Sequence, residues 1–158
     1  MLFRSKYWPV YHSSIGNTGA VYLNLTNATD TNAAYWNNTS PTSSVFTVGT
    51  ISDINTNGSQ NVSYCFAAIP GFSAFGSYTG NGSTDGPFVF CGFRPRFILV
   101  KNTGSTASWQ LYDTSRDTYN VMSGELAPNA SAAESTFAMF DSLSNGFKLR
   151  TTDYTANT

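Results

Sequence analysis

Charge is what this sequence has least of. Asp, Glu, Lys and Arg make up 11% of its 158 residues, against about 25% in an ordinary soluble domain. With a net charge of −1 there is no clustered Lys and Arg to displace counterions from phosphates, which excludes a nucleic-acid partner. Histidine is almost missing: His12 stands alone. The two cysteines, Cys65 and Cys91, lack CxxC spacing, so neither a metal site nor another cofactor is expected. Two cysteines also make no disulfide framework. Both sit in apolar strand-like runs, so both are expected as buried, reduced thiols. No run approaches the ~18 apolar residues of a spanning helix, and no membrane insertion is expected. Met1 to Pro9 holds no continuous apolar segment, so a secretory signal is not expected there.

What is present is material for a core and for turns. Hydrophobic residues are 41% of the chain and aromatics 15%, and a chain of this length buries roughly 70% of its unfolded surface. The polar surface must then be mostly Ser, Thr, Asn and Gly, which suits turn-rich β proteins and particles packed against copies of themselves. Tyr7 to Tyr11 and Ala20 to Leu25 read as strands around a turn at Ser13 to Gly19. Val21, Leu23 and Leu25 alternate with Tyr22 and Asn24, the period of a half-buried strand. Ser44 to Gly49 reads as another strand. Asn57-Gly58 is a turn signal, followed by a largely buried strand over Asn61 to Ala68. Arg96 to Lys101 and Trp109 to Tyr112 form a hairpin, Asn145-Gly146 turns into Phe147 to Thr151, and Ser131 to Ser135 is a single helical turn. The fold class is all-β, antiparallel and β-sandwich-like, with little or no helix.

The chain also resembles itself. Trp8 and Trp109 stand 101 positions apart. The same shift takes Tyr11 to Tyr112, Leu25 to Leu126, Phe46 to Phe147 and Thr50 to Thr151, and pairs Trp36 with Phe137 and Val48 with Leu149. Self-similarity of this kind predicts repeated structural units. Residues 1–71 form the first unit, 72–92 a glycine-rich connector and 93–158 the second unit, the whole able to pack as one domain. The first has at most Met1 to Arg4 where the second has Phe97 to Lys101. The second unit stops before its counterpart of Asn61 to Ala68. A missing strand leaves unpaired backbone groups that invite another chain, so Phe147, Leu149 and Thr151 are expected at an assembly edge. The alternative is that the chain is a piece of a longer polypeptide.

Particular stretches suggest a family. Phe93-Arg94-Pro95-Arg96-Phe97-Ile98-Leu99-Val100-Lys101 is followed by Leu111-Tyr112-Asp113-Thr114-Ser115-Arg116-Asp117, Ser131-Ala132-Ala133-Glu134-Ser135 and Asn145-Gly146-Phe147-Lys148-Leu149. With Asn57-Gly58 before Tyr64-Cys65-Phe66-Ala67 and the connector Tyr78-Thr79-Gly80-Asn81-Gly82, this order resembles a repeat module. That module occurs in tail, tail-fibre and other virion proteins of bacteriophages, notably marine and cyanobacterial phages. The resemblance implies a virion structural protein with no catalytic residues. Its implied partners are copies of itself, other virion proteins and a host surface glycan, and its implied location is the virion, extracellular after host lysis.

The residues were also read for chemistry. Ser13 and Ser14 beside His12 lack the GxSxG turn of a nucleophile; His12 reads as a turn-lining residue. Asp85, Asp113, Asp117 and Asp141 include no singled-out pair of the kind a glycan hydrolase holds across a cleft, which leaves a polysaccharide depolymerase as the third reading. Asp30 and Asp53 make no EF-hand pattern. Trp8, Trp36 and Trp109 each have an aromatic at the related position and are assigned to the core. The second reading is a glycan-binding adhesin, with Tyr78, Asn81 and Asp85 on the connector as receptor contacts, since binding residues concentrate on loops held by a rigid scaffold. The plainer reading of that loop is a turn shaped by glycine.

Overall fold

A computed structural model describes residues 6–158. The all-β expectation holds: the described residues form nine strands and a single 3-10 turn at Ser13–Ile15, with every strand pair antiparallel. The chain divides into two compact units. One takes the chain through Cys65 together with Thr103–Thr106, the other Phe66–Asn102 and Ala107–Thr158. The glycine-rich stretch expected as a connector therefore lies wholly within the second unit. The expected counterpart of Phe97 to Lys101 at Met1 to Arg4 lies outside the described residues.

In the first unit, β1 (Pro9–Val10), β2 (Gly19–Tyr22) and β3 (Asp30–Thr31) form a sheet in the order β1-β2-β3. All four residues of β2 are buried, because Ala20 and Tyr22 pack with Tyr35 and Trp36 to make the core. The Trp36 indole N–H donates to the Gly19 carbonyl at 2.8 Å, so the largest side chain of this core brings no unpaired donor. Tyr11 meets Trp36 edge-on, centroids 5.8 Å apart. The excursion Thr103–Thr106 is tied in by the Thr29 N–H, which donates to the Thr103 carbonyl.

The second unit holds β4 (Phe88–Phe90), β5 (Phe97–Val100), β6 (Gln110–Asp113), β7 (Met122–Glu125), β8 (Ser135–Leu143) and β9 (Gly146–Leu149). Four strands pair in the order β4-β9-β8-β7, and β5-β6 form a ribbon joined to β7 by a bridge between Leu111 and Leu126. Ile98 and Tyr112 from the ribbon share one core with Met122, Met139, Phe140, Phe147 and Leu149 from the sheet, a sandwich-like arrangement. Phe140 lies at its centre, edge-on to both Tyr112 at 5.1 Å and Phe147 at 5.3 Å. Truncating such a residue to Ala costs about 3–5 kcal/mol.

Several expectations are corrected. Ser44 to Gly49 and Asn61 to Ala68 form no strand: among the described residues neither finds a sheet edge, and Val45, Phe46, Val62, Tyr64 and Phe66 stay exposed. Ser131 to Ser135 makes no helical turn and leads directly into β8. Cys65 is exposed, whereas Cys91 is half-buried; both are free thiols. Trp36 and Trp109 are core residues, but Trp8 is 51% exposed and lies stacked on Tyr64. The edge-on partner of Tyr112 is Phe140, three residues beyond the Phe137 that a constant shift supplies. β8 went unread because Met139 to Ser142 are buried on both faces, which erases the period-two pattern.

The second unit is closed by Asn157, which is fully buried. Its Nδ2 donates to the carbonyls of Thr151 at 2.6 Å and Ser83 at 2.8 Å, and its Oδ1 accepts from the Asn81 N–H at 2.8 Å. Glycine permits the approach: at Gly86 a Cβ would lie 2.7 Å from Leu149 Cβ, and at Gly80 it would collide with the backbone of Asn157 and Thr158. Asn157→Asp keeps the shape but turns a double donor into an acceptor facing two carbonyls. It is expected to lower unfolding free energy by about 3 kcal/mol, since a buried unsatisfied group costs about 1–3 kcal/mol beyond the lost bond. Urea denaturation measures this, and unchanged stability would show that the amide is not the clamp.

Candidate functional site

The loop Tyr78, Asn81 and Asp85 is the sequence-expected contact surface, and its side chains are engaged with the scaffold. Tyr78 packs edge-on against Phe147, centroids 6.2 Å apart, and its hydroxyl donates to the Ala156 carbonyl at 2.8 Å. Burial pushes its phenol well above the ordinary value, so it stays protonated. Asn81 Nδ2 donates to the Asp85 carbonyl, and its Oδ1 accepts from the Ser83 N–H. Asp85 reaches Lys148 Nζ at 2.7 Å and lies 3.8 Å from Arg150 Nη1. The Lys148 hydrogen bond and charge hold its carboxyl below the usual range. These three residues share a loop, and the aromatic among them is part-buried against Phe147, with its hydroxyl bonded to the backbone.

The expected assembly edge is likewise occupied. Phe147 and Leu149 belong to β9, which lies between β4 and β8 and is not an edge strand. The Leu149 N–H donates to the Pro87 carbonyl, and Thr151 is covered by Asn157. The chain's own glycine-rich stretch, through β4, fills the position that a second chain was expected to take.

The remaining carboxylates are held singly. Asp113 Oδ2 receives Arg116 Nε at 2.6 Å and its Oδ1 caps the N–H groups of Ser115 and Arg116; Arg116 Nη1 also reaches Glu134 at 2.6 Å. Asp117 accepts from the N–H groups of Ser123 and Gly124, and Asp141 receives Arg150 Nε at 2.5 Å. No two of them face each other across a cleft among these contacts. His12 Nδ1 accepts from the Ser14 N–H and caps the 3-10 turn.

Two groupings escaped sequence reading. In the first unit Tyr35 Oη donates to Asp30 at 2.5 Å, and Tyr22 Oη, in contact with Tyr35 Oη, reaches the same carboxylate at 3.2 Å. Burial raises both phenols, and the hydrogen bond to Asp30 raises Tyr35 further, so neither is an acid or nucleophile near neutral pH. In the second unit Arg94, Arg96, Thr114 and Thr118 line an open depression of about 390 Å³. Arg94 Nε donates to Ser142 Oγ, and among the described residues neither guanidinium has a carboxylate partner. The only sequence signal for it was a pair of arginines flanking Pro95.

The Arg116 guanidinium holds the Asp113 carboxyl below its ordinary value of about 4. A depressed folded pKa contributes stability that is present above that value and lost as pH falls through the folded one. Asp113→Asn is therefore expected to cost about 1–2 kcal/mol at neutral pH and to flatten the decline in melting temperature on acidification below pH ~4. An unchanged acid limb would remove Asp113 from the pH dependence.

No curated protein and no solved structure matches the chain. One family model does, over residues 2–158, and the chain belongs to that family, the domain of unknown function DUF7483.

Proposed function

We propose that this chain is a non-enzymatic structural protein of a bacteriophage particle, a tail, tail-fibre or capsid-surface component that assembles with copies of itself and with other virion proteins. The observation that carries the reading is the exposure of large apolar side chains in each unit: Val45, Phe46, Val62 and Tyr64 in the first, Phe66, Phe72, Phe88 and Phe90 in the second. Scattered exposed apolar residues are ordinary, but runs of them mark interaction surfaces. The engagement of each candidate catalytic carboxylate with the scaffold supports the same reading. Sedimentation velocity on the purified chain is expected to give an oligomer, and antibodies against it to label particles released at lysis. A chain that stays monomeric and is missing from particles would overturn the reading.

A second reading has its own observation. The two guanidiniums and two threonine hydroxyls of the depression suit an acidic surface glycan, with carboxylate or sulfate paired to Arg94 and Arg96. Calorimetric titration with a uronate-bearing polysaccharide is expected to give saturable binding that weakens with salt and is lost in the Arg94→Gln, Arg96→Gln double variant. Binding that this variant retains would exclude the depression.

A further inference from the structure

We propose that Asn61–Ala68 is a donor strand that pairs with the open edge of β4 in a second copy of this chain; the proposal rests on the self-assembly reading above and names its interface. The donor is a segment without regular secondary structure whose backbone N–H groups donate to no group among the described residues. Val62, Tyr64 and Phe66, at 77%, 69% and 78% exposure, alternate with Ser63, Cys65 and Ala67. That is the two-residue period of a strand with one large apolar face. Beyond the Ser73 hydroxyl on the Ala67 carbonyl and the Asn61 amide on the Ile54 carbonyl, the segment has no hydrogen-bonded strand partner among the described residues.

The segment also lacks what keeps exposed strands apart. No Asp, Glu, Lys or Arg occurs between Asp53 and Asp85, and charged residues are the usual means of blocking edge-to-edge pairing. Tyr64 rests on Trp8 and Phe66 on Phe75, and both rings still stay largely exposed.

The acceptor is found by eliminating edges. β4 pairs with β9 on one side only. The Leu149 N–H donates to the Pro87 carbonyl and the Cys91 N–H to the Asn145 carbonyl, with Val89 opposite Phe147 between them. Antiparallel ladders alternate, so the backbone groups of Phe88 and Phe90 face away from β9. Both rings are exposed, Phe90 at 69%, and available for cross-strand contact with Val62, Tyr64 and Phe66. β5 also pairs on one side only, yet Arg94, Arg96 and Lys101 flank it. The outer side of β7 receives the bridge from Leu111 to Leu126. Among these edges β4 is the one with no charge in the strand or in the two residues on either side, whereas Arg96 and Lys101 directly adjoin β5.

Each copy thus offers one donor and one acceptor, which do not pair with each other in the structure. Pairing between copies joins them head to tail, and such heterologous contacts close into a ring or extend as a fibre.

Cross-linking tests this in the full-length chain. In a Cys65→Ser, Cys91→Ser background carrying Tyr64→Cys and Phe90→Cys, whose side chains share one face in the pairing, a short bismaleimide is expected to couple position 64 of one copy to position 90 of another. Covalent dimers and higher species should then appear on a denaturing gel and be lost when either introduced cysteine is left out. Independently, Phe90→Lys changes an exposed side chain, so its circular dichroism should be unaltered while sedimentation shifts from oligomer to monomer. An oligomer that gives no dimer dependent on both introduced cysteines overturns strand donation and leaves self-assembly standing. A native chain that is monomeric at every concentration overturns both. A cross-link confined to single chains overturns the assignment to a second copy.

Discussion

The side-chain amide of Asn157 is the constraint on which the second unit depends. One buried group satisfies the carbonyls of Thr151 and Ser83 and the N–H of Asn81, and so joins the end of β9 to the glycine-rich stretch before β4. That clamp adds to the three residue pairs and the flanking backbone bonds by which β4 holds its place on the sheet. Only an amide, with donors and an acceptor on one planar head, meets the three groups together. The cost of burying it is offset because every one of its polar atoms is used. In the first unit Asn55 makes one comparable bond, its Nδ2 donating to the Gly49 carbonyl at 2.6 Å.

The clamp also determines what the connector is for. Glycines there read as flexible turn formers, yet Gly80 and Gly86 serve close packing against backbone. The aromatic and polar residues on the same loop, Tyr78, Asn81 and Asp85, follow them inward or into ion pairs. A loop that serves as a structural strap is a poor receptor platform. The surface that remains for partners is therefore the exposed apolar stretch around Asn61–Ala68 and the arginine-lined depression, which lies in the second unit.

Scarcity of charge shapes both the packing and the surface. The cations Arg116, Lys148 and Arg150 are spent on local carboxylates, each bond holding a turn or a strand end. Exposed pairs of this kind contribute little net stability; their effect is to fix geometry. Elsewhere charges are few, with none between Asp53 and Asp85, and that suits the proposed packed assembly.

The amino-acid sequence alone determined the class and much of the local structure. Ala20 to Leu25 marked β2, although the strand is Gly19–Tyr22, is buried at all four positions and ends before the alternating Leu23 and Leu25; the apolar run Phe97 to Val100 followed by Gln110 to Asp113 marked the β5-β6 ribbon, and Asn145-Gly146 marked the turn into β9. These are local properties: side-chain period and turn chemistry act within a few residues. Tertiary structure decided which apolar segments become strands. Asn61 to Ala68 has a strand's pattern and no partner, whereas Ser135–Leu143 has a weak pattern and becomes the longest strand because β7 and β9 flank it. It also decided the fate of Tyr78, Asn81 and Asp85, since no sequence period reveals that Asn157 folds back over them. Hydrogen bonds between strands join residues far apart in the chain, so whether a backbone group is satisfied is known only once the partner is in place.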